Sequence, residues 1–266
     1  NNKSIITSNL NQLNGKKIEK FTFKSKDDVN QTINEIKKKE YQISDISSKI
    51  YTRNPSGPFT TSTLQQTASS KLGFGASRTM QIAQRLYQGI DIEGDAIGLI
   101  TYMRTDGTNI SKEAIETFRS YISDNFGKNY LPQSSLNYSG KKAKNAQEAH
   151  EAIRPTSASL SPELLKGHTE EEQKLYDLIW RQFISCQMPD AKYLSINAFI
   201  EVEDFRLFAK GREVVFDGYT KVQKVNIKDE ENLPILEENQ VLKLNKVINE
   251  KKYTKPPSRF SEAALV

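Results

Sequence analysis

The sequence is poor in the residues that form disulfides and the commonest metal centres. Its 266 residues include one cysteine and two histidines, so it can form no intrachain disulfide and lacks the usual ligands of a zinc site. It also lacks an apolar run long enough to span a membrane, and no signal peptide opens it. We therefore expect a cytoplasmic protein with no membrane partner and no metal bound to these residues.

The charges are nearly balanced, with a small basic surplus. The sequence has 38 basic and 33 acidic residues, a net charge of +5, and 36% hydrophobic residues. This surplus is compatible with a polyanionic partner but does not require one. The length allows one large domain or two. Because the chain begins without methionine and ends inside an unfinished element, we expect it to be a piece of a longer protein.

Hydrophobic spacing predicts a helical block in the middle of the chain. Capping residues and glycine stops indicate helices at residues 62–72 and 77–88. Thr169 caps a long helix whose apolar stripe includes Tyr176 and Trp180. We therefore assign these two aromatic rings to the core rather than to base stacking.

Alternation at every second residue predicts strands after this block. The alternation is strongest at residues 194–202, which residues 205–209 follow across a turn. Polar residues 1–15 indicate an irregular entry to the chain. Further strands or extended segments are predicted at residues 21–23, 43–53, 214–216, 219–225 and 241–247.

Together these patterns predict an α+β multidomain chain. Proline and glycine residues at 54–58, and Pro189 further on, indicate domain boundaries. We interpret the central part as a mainly helical domain inserted into a β-rich domain. The predicted domains are residues 1–57 with 190–248 (β-rich), residues 58–189 (helical) and residues 249–266 (the start of a truncated further domain).

Within the helical block, Tyr102 ends an apolar run and Arg104 follows two positions later. A phenol can attack a phosphodiester if its developing negative charge is stabilised, because its ordinary pKa is about 10. An arginine offers permanent positive charge for that purpose. Most Tyr-x-Arg triplets are ordinary strand ends, so the pattern alone leaves a purely structural role open.

A second unusual stretch runs from Ala146 to Thr156. If it is helical, His150 and Arg154 share one face of the helix, and Pro155 stops the helix from continuing. The alternative is a helix end at which Glu151 and Arg154 form a surface ion pair. The residues alone leave both interpretations open.

Several stretches together resemble the bacterial type IA DNA topoisomerases. They occur in the order that the family shows and are spread over residues 55–266. They are residues 58–66 (PFTTSTLQQ), 80–87 (MQIAQRLY), 99–106 (LITYMRTD), 147–155 (QEAHEAIRP) and 256–263 (PPSRFSEA).

This resemblance implies that the helical domain carries the active-site tyrosine and that the β-rich domain forms an arch of a toroid. Tyr102 would attack single-stranded DNA and form a 5′-phosphotyrosine, so that strand passage and religation relax negative supercoils without ATP. Arg104 would stabilise charge at the scissile phosphate, and His150 would bond a phosphate or move a proton. The resemblance also implies DNA contacts for Gln84, Arg85, Thr101 and Arg154, the last of which would support His150.

The resemblance further implies parts that lie outside this chain. The family holds Mg²⁺ in an upstream, N-terminal metal-binding domain, and the chain lacks an Asp-x-Asp-x-Asp pattern of that kind. Further C-terminal regions would follow residue 266. We expect the chain alone to be a monomer that folds but does not cleave DNA efficiently, and the whole protein to associate with the bacterial nucleoid.

The chain departs from the family pattern at two positions. Gly107 stands where the family commonly has serine, and we expect no loss of chemistry there. Gln88 stands where the family often has glutamate, which puts an acidic role at that position in doubt.

Two other functions compete with this interpretation. Tyrosine recombinases also use a tyrosine with arginines and histidines, but their His-x-x-Arg pairing is absent because His150 and Arg154 are four positions apart. Their tyrosine also comes late, whereas Tyr102 precedes both of these residues. The other competing function is non-enzymatic, in which the isolated chain only embraces DNA as an arch.

Overall fold

The structure is a computed structural model that describes residues 4–92, 94–138, 150–223 and 232–265. Part of the predicted site stretch, residues 147–149, lies outside the described residues. The basic residues Lys141, Lys142 and Lys144, which we considered for phosphate contact, also lie outside them.

The strands are β1 (Asn9–Leu13), β2 (Lys16–Lys17), β3 (Tyr41–Arg53), β4 (Ile90–Ile92), β5 (Asp95–Ile97), β6 (Ala191–Val202), β7 (Phe205–Phe216) and β8 (Val241–Leu242). The helices are α1 (Lys26–Ile36), α2 (Thr61–Leu72), α3 (Ala76–Gln88), α4 (Lys112–Phe126), α5 (Glu170–Cys186) and α6 (Glu262–Leu265).

The helices, together with two mostly antiparallel sheets, confirm the predicted α+β class. The chain forms two compact units, and the longest stretch of the second interrupts the first. The first unit consists of Asn1–Thr52, Lys192–Phe216 and Asn226–Pro256, and the second of Arg53–Ala191, Asp217–Val225 and Pro257–Val266. The four-part domain division given above stays a prediction. Within the described ranges, no helix combines the length and the apolar character needed to cross a bilayer.

The first unit is built on a six-stranded sheet in the order β2-β1-β7-β6-β3-β8. Strands β6 and β7 form the predicted hairpin, which pairs Val202 with Phe205 across a turn in which Glu203 has a positive φ of 52°. One apolar cluster joins α1 to this sheet because alternate strand residues point towards the helix. Its buried members are Ile36, Tyr41, Ile43, Ile200, Val202 and Phe205.

Several strand predictions for this unit were wrong. Strand β1 lies within residues 1–15, where we predicted no regular structure. Its mostly polar sequence gives no strand pattern, and the strand forms by pairing with β7. No strand forms at residues 21–23. The strand predicted at 241–247 is confined to β8. The segments predicted at 205–209 and 214–216 do form strand, but they are joined as the continuous β7.

In the second unit, the helices predicted at residues 62–72 and 77–88 form as α2 and α3; each begins one residue earlier than predicted and ends where predicted. Thr60 caps α2 and Gly73, with a φ of 73°, ends it, while Thr169 and Glu172 form the capping box of α5. Tyr176 and Trp180 are buried, which confirms their assignment to the core.

One strand predicted in this unit is wrong. Where a strand was predicted at residues 219–225, the described part contains the 3-10 helix Gly218–Lys221. Tyr219 in this helix and Val222, which follows it as the C-cap, are both buried and lie three positions apart, so one turn brings both to the same side.

The core of the second unit supplies a stability test. Phe118 of α4 and Phe183 of α5 are buried and meet edge to face, with ring centroids 4.6 Å apart. Replacing Phe118 with alanine should lower the free energy of unfolding by about 3–5 kcal/mol, because it leaves a cavity. Chemical denaturation measures the loss. Phe260→Ala, at an exposed ring of the same unit, should change stability little, and equal losses in both variants would contradict this packing.

Candidate active site

The candidate site is held by backbone contacts between segments that are distant in sequence. The Thr101 amide donates to the Arg154 carbonyl at 2.9 Å, and the Thr156 amide donates to the Leu99 carbonyl at 3.0 Å. The segment that contains Arg154 also contacts Phe59, whose carbonyl accepts a hydrogen bond from the Ile153 amide at 2.8 Å. Residues near 153 therefore lie between two chain segments, one that starts α2 and one that carries Tyr102.

This arrangement corrects the prediction for the second unusual stretch. Residues 150–156 are extended, with bridges to Phe59 and Ile100, and form no helix. The cause is that their backbone groups bond to residues far away in the chain rather than to one another. The ion pair of the alternative interpretation does form, between Arg154 Nη2 and Glu151 Oε2 at 2.6 Å.

Burial alternates along the segment that carries the tyrosine. Met103 and Thr105 are 1% and 7% exposed, whereas Tyr102 is 37% exposed and Arg104 is exposed as well. The buried residues anchor the backbone to the core. They leave the phenol and the guanidinium open to a ligand, and no carboxylate of the described ranges forms an ion pair with Arg104.

The Tyr102 ring lies between two other rings. Its centroid is 5.4 Å from that of Tyr87, at an interplanar angle of 67°, and 5.4 Å from that of His150, at 61°. Both contacts are edge to face, a favoured geometry for aromatic pairs. The structure thus brings Tyr102 and His150 together, and it adds Tyr87, which is 41% exposed.

Thr101 and Arg154 lie behind the tyrosine and are occupied within the protein. The Thr101 hydroxyl donates to the Ala152 carbonyl at 2.7 Å and accepts from the Arg154 amide at 3.0 Å. The Arg154 side chain is 12% exposed. Its guanidinium donates to Glu151 and, at 2.9 Å, to the Pro155 carbonyl. As placed, both residues support the backbone next to the site.

The carboxylate of Glu151 is the charged partner of the Arg154 guanidinium. Burial raises its pKa, but the charge and hydrogen bonds of Arg154, together with the Ser111 amide at 2.7 Å, outweigh burial and lower it. The folded state therefore favours the ionised carboxylate.

Gln84 and Arg85 lie on α3, on the turn before Tyr87. Gln84 is half-buried, and Arg85 Nε lies 2.8 Å from Glu172 Oε1. Burial raises the pKa of Glu172, but hydrogen bonds from Thr169 and the charge of Arg85 outweigh it and lower the pKa. Arg85 is thus tied to α5 while part of its side chain remains exposed.

The glycine at position 107 allows two segments to approach closely. A Cβ atom there would lie 2.2 Å from the His150 carbonyl oxygen. The same oxygen accepts a hydrogen bond from the Thr105 hydroxyl at 3.2 Å, and that hydroxyl accepts from the Gly107 amide at 3.0 Å. A side chain at residue 107 would therefore displace the backbone of His150, which explains why glycine suits this chain.

The sequence did not reveal two residues of the site. No residue pattern singled out Tyr87, yet its ring contacts that of Tyr102. Thr61 was only part of a matching stretch, yet its hydroxyl lies 2.8 Å from the Met103 carbonyl. The only available signal was that both residues fall within stretches that resemble the family.

The donor groups of the described residues do not fit a magnesium ion. Among residues 4–92, 94–138, 150–223 and 232–265, no three His, Cys, Asp or Glu side chains are grouped so that they could hold a metal. Mg²⁺ needs a near-octahedral set of oxygen ligands. No chemical step is therefore assigned to a metal on these residues.

Comparisons with known proteins agree with one another. A family model described as DNA topoisomerase matches residues 3–266. The chain is 44% identical over 273 residues to DNA topoisomerase 1 of Rickettsia felis. This match covers 100% of this chain and 35% of that relative. It is 46% identical over 244 residues to DNA topoisomerase 1 of Escherichia coli, and this match covers 91% of this chain and 27% of that relative.

A solved structure is similar as well. The full-length topoisomerase I from Thermotoga maritima, in a monoclinic crystal form, matches with a TM-score of 0.72 and 32% identity, over 90% of this chain and 37% of that one. The chain thus spans about a third of the length of the proteins that it matches.

The lowered pKa of Glu151 predicts a pH-dependent stability. Since its ordinary value is 4.5, the stabilisation is fully present above pH 4.5 and is lost as the pH falls through the lower, folded-state pKa. Glu151→Gln should lower the free energy of unfolding by about 1–2 kcal/mol at pH 7. The difference from the unmodified chain should shrink in acid.

Denaturant titrations at several pH values measure this difference. Glu170→Gln is the control, because its ion pair with Lys174 is exposed and should contribute little. A Glu151→Gln loss that stays constant down to the lowest pH would contradict the account.

Proposed function

The chain belongs to the bacterial type IA DNA topoisomerase family, and from this premise we propose that Tyr102 is the nucleophile that cleaves single-stranded DNA. The observation that carries the proposal is the exposed phenol of Tyr102. It lies beside His150 on a backbone that buried neighbours hold, and the exposed Arg104 follows two positions later.

The reaction is a transesterification. The phenolic oxygen of Tyr102 forms a bond to phosphorus while the bond from phosphorus to the 3′-oxygen breaks. The product is a 5′-phosphotyrosine and a free 3′-hydroxyl, and the proton that the phenol loses ends on that 3′-oxygen. One phosphodiester replaces another, so the reverse reaction reseals the strand without ATP. Passage of another strand between the two steps would relax negative supercoils.

The neighbouring residues have separate roles in this proposal. Arg104 neutralises charge that builds up on the phosphate oxygens in the transition state. His150 donates a hydrogen bond to a phosphate oxygen or carries the proton between phenol and leaving oxygen. Gln84 and Arg85 contact the strand on the α3 side, mainly through its backbone. Thr101 and Arg154 act behind these residues, because their polar groups hold the His150 segment in place.

We further propose that the site is divided between this chain and the rest of a longer protein. The Mg²⁺ of the complete enzyme would be held by an upstream metal-binding domain, where it would compensate phosphate charge. The complete enzyme would act as a monomer in the bacterial cytoplasm, at the nucleoid.

The tyrosine is tested in a chimera in which this chain replaces the matching residues of the Rickettsia felis DNA topoisomerase 1. With a labelled single-stranded oligonucleotide, the chimera should form a covalent adduct that resists denaturant. Tyr102→Phe should abolish this adduct because it removes the attacking oxygen. Tyr87→Phe, which removes the neighbouring phenol oxygen, should retain it. Adduct formation by the Tyr102→Phe chimera would refute the assignment.

The divided site makes a separate prediction for the chain alone. With Mg²⁺ and negatively supercoiled plasmid, the purified chain should give no relaxation on agarose gels, while the chimera should relax the plasmid. Relaxation by the chain alone would contradict the division. If oligonucleotide binds but neither protein forms an adduct, the non-enzymatic arch becomes the better account.

A further inference from the structure

The first residue of α2 contacts the backbone on both sides of Arg104. The Thr61 hydroxyl lies 2.8 Å from the Met103 carbonyl, 3.0 Å from the Thr105 carbonyl and 2.8 Å from the Thr105 amide, which donates to it. The Thr61 amide also donates to the Thr105 carbonyl at 2.8 Å. One residue therefore serves both peptide units next to Arg104.

The single hydroxyl proton of Thr61 can serve only one of these carbonyl groups. A threonine hydroxyl has one proton to donate and lone pairs to accept with. The Thr105 carbonyl already receives a proton from the Thr61 amide, so the hydroxyl proton is best used at the Met103 carbonyl. Met103 and Thr105 are buried, and among the described residues no other hydrogen-bond donor serves the Met103 carbonyl. Loss of the hydroxyl would thus leave buried polar groups unpaired, which is costly.

The Thr61 hydroxyl is not needed to start its own helix. Thr60 and Thr63 form the capping box of α2, with the Thr60 amide donating to the Thr63 hydroxyl at 2.8 Å. The Thr61 side chain instead points to the segment 42 and 44 positions further along the chain. Helix formation alone therefore does not explain its contacts.

We propose that Thr61 is a positioning residue, whose hydroxyl fixes the backbone on both sides of Arg104 so that the guanidinium is held beside Tyr102. The effect extends to His150, because the Thr105 hydroxyl donates to the His150 carbonyl. This inference rests on the proposed function of Tyr102 and Arg104, and it adds the residue that sets their geometry.

The test uses the chimera and compares Thr61→Val, which keeps the shape and loses the hydroxyl, with Thr61→Ser, which keeps the hydroxyl. The initial rate of adduct formation is measured at saturating oligonucleotide, next to the oligonucleotide Kd and the thermal midpoint. Thr61→Val should slow adduct formation about tenfold, with Kd changed less than about twofold. Thr61→Ser should restore the rate to within about threefold.

Two controls separate positioning from a general loss of stability. Tyr176→Phe removes another buried hydrogen bond, 2.5 Å to the Leu160 carbonyl, and should lower the thermal midpoint without slowing adduct formation. Thr61→Ala is measured beside Thr61→Val, so that if one of the two variants fails to fold, the other still tests the role of the hydroxyl.

The outcomes also separate this inference from the proposed function. If Tyr102→Phe still forms the adduct, the assignment of the nucleophile fails. If Tyr102→Phe abolishes the adduct but Thr61→Val matches the unmodified chimera, the role of Thr61 alone is wrong. Equal slowing by Thr61→Val and Thr61→Ser would also overturn it, because the hydroxyl would then not matter.

Discussion

The site depends on one antiparallel contact, in which residues near Thr101 pair with residues near Arg154. These hydrogen bonds join groups about 50 positions apart in the chain. They bring the ring of His150 to 5.4 Å from that of Tyr102. Without this pairing the two side chains would belong to unrelated segments. The Glu151–Arg154 ion pair and the close approach of Gly107 to the His150 backbone help to hold the same segment in place.

Buried residues and internal hydrogen bonds hold the backbone of this exposed site. Met103 and Ile100 are buried, and Thr61 bonds the peptide units around Arg104. The backbone is therefore fixed from the inside while the reactive side chains face outward. Such a site costs a ligand little ordering of the protein on binding. This is the property that a positioned nucleophile and its charge partner require.

The sequence predicted what short-range physics determines and missed what distant partners determine. The capping box of α5, the stop of α2 at Gly73 and the β6–β7 hairpin depend on neighbouring residues, so their patterns were sufficient. Strand β1 and the extended segment after His150 depend on partners far along the chain, and both were predicted wrongly. At the site, residue chemistry singled out Tyr102 and Arg104. Their association with His150 was implied only by the family resemblance, and no residue pattern singled out Tyr87.

The central claim is that Tyr102, rather than its exposed neighbour Tyr87, carries the DNA. The most direct measurement is tandem mass spectrometry of the trapped adduct of the chimera, after digestion with nuclease and protease. The account predicts a nucleotide joined through its 5′-phosphate to the peptide that contains Tyr102. A nucleotide found on the peptide that contains Tyr87, or on any other residue, would contradict it.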